Sequence, residues 1–394
     1  MKRREFLRLV SLGACAGSLS SLSYAQALAS TKQESRVEQI RRIKKDRILV
    51  LVELKGGNDG LNTLVPYTDP LYKKLRPTLS LSKNQVIDLG HGMGMHKSLA
   101  ALKPIWDDED LAWIQGVGYP RPDLSHFRSQ DIWKTASSSD HQLTDGWLSL
   151  VLPEKKRGLH GIVIGDDLGP LESHHCRAVV MKDPKTFRQQ ANMVKVIRHK
   201  SNNASLAHLI GVQQQLHEAK MLLENTSGFA YLDRYFHAHP FQNDLKSVAK
   251  MIVGGGAKAS VYKVTLKGFD THASQAVTHK NQLKYLADGL NAFATAMKAS
   301  DKWHDVLIMT YSEFGRSVKE NRSGGTDHGT AAPHLVMGGK VNGGELYGEN
   351  MRLNDLQDGD LVYTTDFRSL YATITDRWWG LESPWQQHDT LAFV

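Results

Sequence analysis

The chain has 394 residues, 41% of them hydrophobic and 23% charged, with a formal net charge of +8. That length accommodates one large α/β domain or two small ones, and the composition is that of an ordinary soluble globular protein rather than a disordered, fibrous or membrane-spanning one. The positive charge is spread along the chain, so it does not form the basic stripe of a nucleic-acid-binding surface.

The N-terminus opens with Lys2-Arg3-Arg4-Glu5-Phe6-Leu7, a twin-arginine start. A short, mildly apolar run from Leu9 to Leu22 follows, and Ala25-Gln26-Ala27 supplies the small-x-small pattern that a signal peptidase accepts. The run is too short and too weakly apolar to span a bilayer, so residues 1–27 read as an export signal. The expected partner is the twin-arginine translocase, and the expected destination is the periplasm or the exterior. That route carries folded proteins, which suits a chain loaded with metal before it meets other ions outside. Leu12-Gly13-Ala14-Cys15 resembles a lipobox and offers a lipid anchor as the alternative. The signal carries Lys2, Arg3, Arg4 and Arg8 against Glu5, so the mature protein, starting near Leu28, is close to +5. That mild charge is compatible with anionic substrates. With Cys15 removed or lipidated, Cys176 stands alone and no internal disulfide is expected. It follows His174 and His175, a weak metal-ligand pattern that lacks a second cluster.

Residues 28–46 read as a charged linker. Arg47–Leu54 is an apolar, β-branched run bounded by charge and glycine, the signature of a buried central strand. Further strands are expected at Leu111–Val117, Gly161–Gly165, Ala178–Met181, Ser260–Lys267, Val306–Tyr311 and Leu335–Met337. Helical spacing runs from Thr186 to about Thr226, then over Asn243–Val253, His279–Ala299 and Asp366–Trp379. Strands alternating with helices predict a doubly wound, largely parallel sheet with helices on both faces, spanning residues 47–394. A helix-rich insertion is expected at about 186–256.

Polar residues cluster where these strands end, which is where open α/β sheets place their sites. Gly56-Gly57-Asn58-Asp59-Gly60-Leu61-Asn62 follows the first strand and lacks dinucleotide spacing. Asp270-Thr271-His272 follows Ser260–Lys267, with His279 in the next helix. Glu313 follows Val306–Tyr311 in Ser312-Glu313-Phe314-Gly315-Arg316, and Asp327-His328 sits in a glycine-rich run. Carboxylates and imidazoles in these places form a ligand set for divalent metals. The metal-ligand candidates are therefore Asp59, Asp270, His272, His279, Glu313, Asp327 and His328. One or two ions of zinc, manganese or calcium are expected. Ser125 caps a helix that continues through His126 and Arg128. A hydroxyl at a helix N-terminus welcomes an anion and can act as a nucleophile. Ser125, His126, Arg128 and Arg316 are thus the catalytic candidates, with Ser129 as the rival nucleophile.

These segments, with Val65-Pro66-Tyr67 and Asp131-Ile132-Trp133, resemble a widespread bacterial family of twin-arginine-exported proteins of unknown function. That family is placed in the alkaline-phosphatase-like (sulfatase-like) superfamily. The resemblance implies a doubly wound core carrying a two-metal site that hydrolyses phosphate or sulfate esters. Asp59 then matches the first-strand metal aspartate, and Ser125 falls at the nucleophile position. Asp270 and His272 resemble the Asp/His ligands of one metal, and Asp327-His328-Gly329 resembles the late histidine loop. Three features depart from the superfamily. One residue separates Asp270 from His272 where three are usual, Glu313 stands where an Asp-His pair is expected, and Ser125 lacks the Cys/Ser-x-Pro-x-Arg setting. The expected substrate is a small anionic ester or an envelope glycan. The alternative is a non-catalytic, metal-bound envelope protein that binds a polysaccharide or another secreted protein.

Overall fold

The computed structural model describes residues 47–155, 157–194, 201–255 and 259–394. The signal, the lipobox and the charged linker lie outside them. Strand β1 (Ile48–Lys55) follows the predicted run to within a residue. It lies between β5 (Val261–Lys267) and β6 (Val306–Tyr311), parallel to both. On the β5 side the sheet continues through β3 (Gly161–Ile164) to β4 (Ala178–Met181), again in parallel. On the β6 side come β9 (Ala332–Met337), β2 (Leu111–Gly118) and the two-residue β10 (Leu346–Tyr347). A further short strand, β11 (Thr365–Asp366), also pairs with β2.

Within this sheet only the two ladders made by β9 are antiparallel. The expected strand at 335–337 is therefore real, but it begins three residues earlier and runs against its neighbours. The reason is local. Between β6 and β9 the chain makes only a hairpin, β7 (Gly315–Glu320) and β8 (Thr326–Gly329). A parallel return needs a crossover of a dozen or more residues, usually a helix, and none intervenes.

Side chains alternate across β1. Val50, Val52 and Leu54 enter one core, and Leu49 and Leu51 the other. The first core is covered by α4 (Pro240–Gly254) and α5 (Gln275–Ala299), which bury Leu245, Val248, Leu286, Leu290 and Phe293. The second is covered by α1 (His126–Thr135) and α6 (Phe367–Thr373), with Trp133, Trp147, Tyr371, Trp378 and Trp379. A core on each face is what makes the strands read as continuous apolar runs. Each fully buried side chain of this kind contributes roughly 1.5–3 kcal/mol. The predicted helical stretch from 186 resolves into α2 (Pro184–Met193) and α3 (Ala204–Glu224), followed by 3-10 turns over Asn225–Tyr235. No helix among the described residues is long and apolar enough to cross a membrane.

One buried group in β9 makes the fold sensitive to acid. His334 is 1% exposed, lies edge-on to Trp133 with ring centres 5.3 Å apart, and has no partner at Nδ1 among the described residues. Burial pushes its imidazole down to about 3, so it is neutral in the native protein. The unfolded chain takes up that proton near the ordinary histidine value of about 6.5. Stability is thus fully present above that pH and declines as pH falls toward 3. Urea unfolding at pH 7 and pH 4.5 is expected to show a loss of roughly 2–3 kcal/mol from this residue. His334→Phe is expected to shrink the difference by that amount.

Candidate metal centre

The carboxyl ends of the three adjacent strands β6, β1 and β5 carry the site. After β1 the chain turns through Gly56 and Gly57, at φ of +117° and +84°. A Cβ on Gly56 would lie 2.3 Å from the Asp270 amide nitrogen, so glycine is what lets the β1 and β5 loops touch. Ser312, after β6, ties the third loop in. Its Oγ donates to Leu54 O at 2.6 Å and accepts from the Asn58 amide at 2.9 Å. Arg316, at the start of β7, then crosses beneath all three. Its guanidinium donates to Gly57 O, Gly56 O, Phe269 O and Thr326 O at 2.9–3.1 Å, and to Asp270 Oδ1 at 2.6 Å.

Above this support three imidazoles converge. His126 Nδ1 lies 2.8 Å from Glu313 Oε2, His272 Nδ1 lies 3.3 Å from Asp327 Oδ1, and His328 Nδ1 lies 2.8 Å from Leu124 O. In the tautomer that donates Nδ1–H to these acceptors, each neutral ring leaves a lone pair on Nε2. All three Nε2 atoms face one carboxylate. They stand 3.5, 3.1 and 3.3 Å from the oxygens of Asp270 for His126, His272 and His328 respectively. Nε2 of His272 and Nε2 of His328 are 3.1 Å apart. Donor atoms of His126, Asp270 and His328 lie within 4.8 Å of one another. Burial pushes the Asp270 carboxyl up, but the Arg316 guanidinium bonded to it outweighs this and holds the group below the usual carboxylate range. Lone pairs aimed at an ionised carboxylate repel unless a cation lies among them. Imidazoles that donate their other nitrogen to a carboxylate or carbonyl are the usual ligands of such a cation. The donor chemistry therefore fits a divalent ion.

The predicted residues divide into groups. Asp270, His272 and His328 come together. His126, expected to act in catalysis, also faces Asp270, and the donor atoms that lie within 4.8 Å of one another are those of His126, Asp270 and His328. Glu313 and Asp327 lie one step back, orienting His126 and His272. Glu313 also accepts from the Gly56 amide at 2.5 Å and from Gln130 Nε2 at 2.8 Å. Arg316 is 2% exposed and its donors are occupied within the protein, so it touches the centre only through Asp270.

Asp59 is elsewhere. It is fully buried, and Arg76 Nη1 reaches its two oxygens at 2.8 and 2.7 Å, with Gln275 Nε2 on the second. Burial raises its carboxyl, but the Arg76 guanidinium paired with it pulls it below the ordinary value. Gln275 Oε1 in turn accepts from Thr271 and Thr326 hydroxyls at 3.0 and 2.6 Å, so Asp59 braces the ligand loops from behind. His279 is also buried, against Asn58 Oδ1 at 3.0 Å. Arg128 donates from Nη2 to the carbonyls of Ser138, Ser139 and His141, which fastens a loop. Ser129 is fully buried, bonded to Asp123 O and 3.4 Å from the Tyr119 hydroxyl. Ser125 is exposed at the start of α1, and its side chain makes no capping bond. Cys176 is a buried free thiol, pushed up to about 12 by burial, and is not part of the cluster.

Arg76 and Gln275 carry no signal in the local sequence. A trace exists for Gln130, four residues after His126 on one helix, where both side chains reach the same face. The close approach at Gly56 is testable. Gly56→Ala meets both an unfavourable φ and the Asp270 backbone, and is expected to lower unfolding stability by roughly 2–4 kcal/mol. It should also disturb the amides of residues 268–272 in an NMR spectrum, while a Gly211→Ala control, in open space within α3, leaves them unchanged.

No curated protein matches the sequence. Among solved structures, the lipoteichoic acid synthase LtaP from Listeria monocytogenes is 9% identical, with 91% of this chain and 80% of that one covered and a TM-score of 0.40. PsFucS1 sulfatase from Pseudoalteromonas sp. is 10% identical over 90% and 71% of the two chains, at 0.38. An alkaline phosphatase superfamily protein from Vibrio parahaemolyticus is 9% identical over 85% and 67%, at 0.36. These likenesses are loose, and the chemistry of the centre rests on the residues of this chain. A family model described as a protein of unknown function, DUF1501, matches residues 173–390, more than half of the chain, and the chain belongs to that family.

Proposed function

We propose that the chain is an exported, metal-dependent hydrolase of phosphate or sulfate esters. The observation that supports this reading is the convergence of three Nδ1-anchored imidazoles on the Asp270 carboxylate. His126, Asp270, His272 and His328 would hold the ion. Three nitrogens and one oxygen favour zinc or manganese over calcium, which prefers oxygen donors throughout. When bound, a divalent ion supplies positive charge that acidifies a nearby hydroxyl or water and neutralises ester oxygens.

The chain's own groups supply the rest. Ser125 is next to His126, and the carbonyl of Leu124, on its other side, lies 2.8 Å from His328 Nδ1 as its hydrogen-bond acceptor. Its hydroxyl stands at the N-terminus of α1, where the unpaired amides and the helix dipole favour an anionic oxygen. Ser125 Oγ releases its proton to solvent and bonds to phosphorus or sulfur as the bond to the alcohol breaks. The departing oxygen takes a proton from water, and a second water cleaves the seryl ester. Glu313 and Asp327 keep His126 and His272 in the tautomer that presents Nε2. Arg316 keeps Asp270 ionised. Export through the twin-arginine route, directed by Arg3 and Arg4, belongs to the same proposal. So does the organisation into a removed signal, a linker and one domain carrying its helix-rich insertion.

Elemental analysis of the protein purified after export is expected to give about one equivalent of zinc or manganese. An Asp270→Ala, His328→Ala double variant should retain the fold and lose that metal. Metal-free wild type with an intact fold overturns the reading. Glu313→Gln is expected to weaken metal affinity roughly 10- to 100-fold. Turnover of 4-nitrophenyl phosphate or sulfate should fall by roughly three orders of magnitude or more in Ser125→Ala with metal content unchanged. Bound metal with no turnover of any ester would leave a binding protein. Substituting lysine for both Arg3 and Arg4 should trap the protein in the cytoplasm, as read by cell fractionation.

A further inference from the structure

His279 has no place in the metal centre, yet it is 2% exposed and shaped by its surroundings. It lines a pocket of about 510 Å³ on the other side of the Asp59 network, together with His96, which is 8% exposed. Pockets of this size suit small molecules when a few polar groups converge within apolar walls. Leu79, Leu81 and Val277 form such walls, and Val277 is 66% exposed at the start of α5 with nothing packed over it.

The two imidazoles each have one nitrogen engaged. His96 Nδ1 accepts from the Ser98 amide at 2.9 Å, so its proton is on Nε2. His279 Nε2 donates to Asn58 Oδ1 at 3.0 Å, so Nδ1 carries a lone pair. Among the described residues neither remaining nitrogen has a hydrogen-bond partner. Burial pushes each ring down to about 4, which keeps both neutral. One donor and one acceptor thus remain for an occupant. The charged lining is one-sided: Lys97 and Lys280 border the pocket, and no lining residue is acidic. The first turn of α5 also lacks an acidic residue, so the positive end of a 25-residue helix adds to the same field.

We propose that this pocket binds a small organic anion with an apolar body and a hydroxyl group, its carboxylate facing Lys97 and Lys280 and its hydroxyl at His279. The body packs on Leu79, Leu81 and Val277. The site is separate from the metal centre and does not depend on the hydrolase reading.

A matched pair of probes tests it on the full chain purified after export: 4-hydroxyphenylacetate and tyramine share a phenol ring and differ in the sign of their charge. In saturation-transfer NMR and calorimetry, 4-hydroxyphenylacetate is expected to bind at one site and tyramine not at all. Lys97→Gln with Lys280→Gln, both exposed positions, should weaken binding roughly tenfold. Ala276→Trp, which fills the mouth, should abolish it. The Asp270→Ala, His328→Ala variant should bind as wild type does, and inorganic phosphate should not compete. No binding of the anion overturns the proposal, as does equal binding of tyramine or an affinity unchanged by the lysine changes. Loss of binding in the Asp270→Ala, His328→Ala variant would place the carboxylate on the metal and overturn it as well.

Discussion

The guanidinium of Arg316 is the interaction on which the centre depends. It is buried, and its acceptors come from the ends of β1 and β5 and from the start of β8. Four of these acceptors are backbone carbonyls, which would otherwise be buried without donors at a cost of about 1–3 kcal/mol each. The fifth is Asp270. A buried cation of this kind is tolerated when its donors are matched, and a nearby anion adds to that. Lysine could not take the place of this arginine, because an ammonium is a point donor and these acceptors are spread around a plane.

Orientation passes outward from that support in short steps. The Gly56 amide fixes Glu313, Glu313 fixes the His126 ring, and His126 turns Nε2 toward Asp270. Asn321 donates to Asp327 at 3.1 Å and to His272 O at 3.0 Å, which sets the second ring. Each imidazole is therefore held by a group that is itself held. This is the condition under which a set of side chains presents a fixed geometry rather than an average one.

Much of this was legible in the sequence because it is periodic or local. The β1 run, the crossover helices and the strand-end loops follow from apolar alternation and glycine placement. The pairing of Asp270 with His272 needs only that two residues one apart lie on one side of an extended chain. What could not be read is long-range pairing. Asp59 looks like a ligand until Arg76 is brought to it, and Arg76, at the C-terminal cap of the short helix Pro70–Leu75, lies 17 residues away with nothing in the pattern to announce the pairing. His279 falls four residues after Gln275 on α5, so both face the Asp59 side of the loop rather than Asp270. The antiparallel course of β9 follows from a missing helix between β6 and β9, which apolar pattern alone does not reveal.

The closeness of β1 to β5 and β6 has a kinetic meaning. Gly56 and Glu313 are 257 positions apart along the chain, and Gly57 and Arg316 are 259 apart, yet they are bonded in the folded protein. Contacts of such long range must first meet their loop-closure entropy, which slows the folding of a sheet built on them. No fragment ending before β7 can assemble the cluster, because Glu313 and Arg316 arrive with the final quarter of the sequence. Capture of a metal ion would then report completion of the fold.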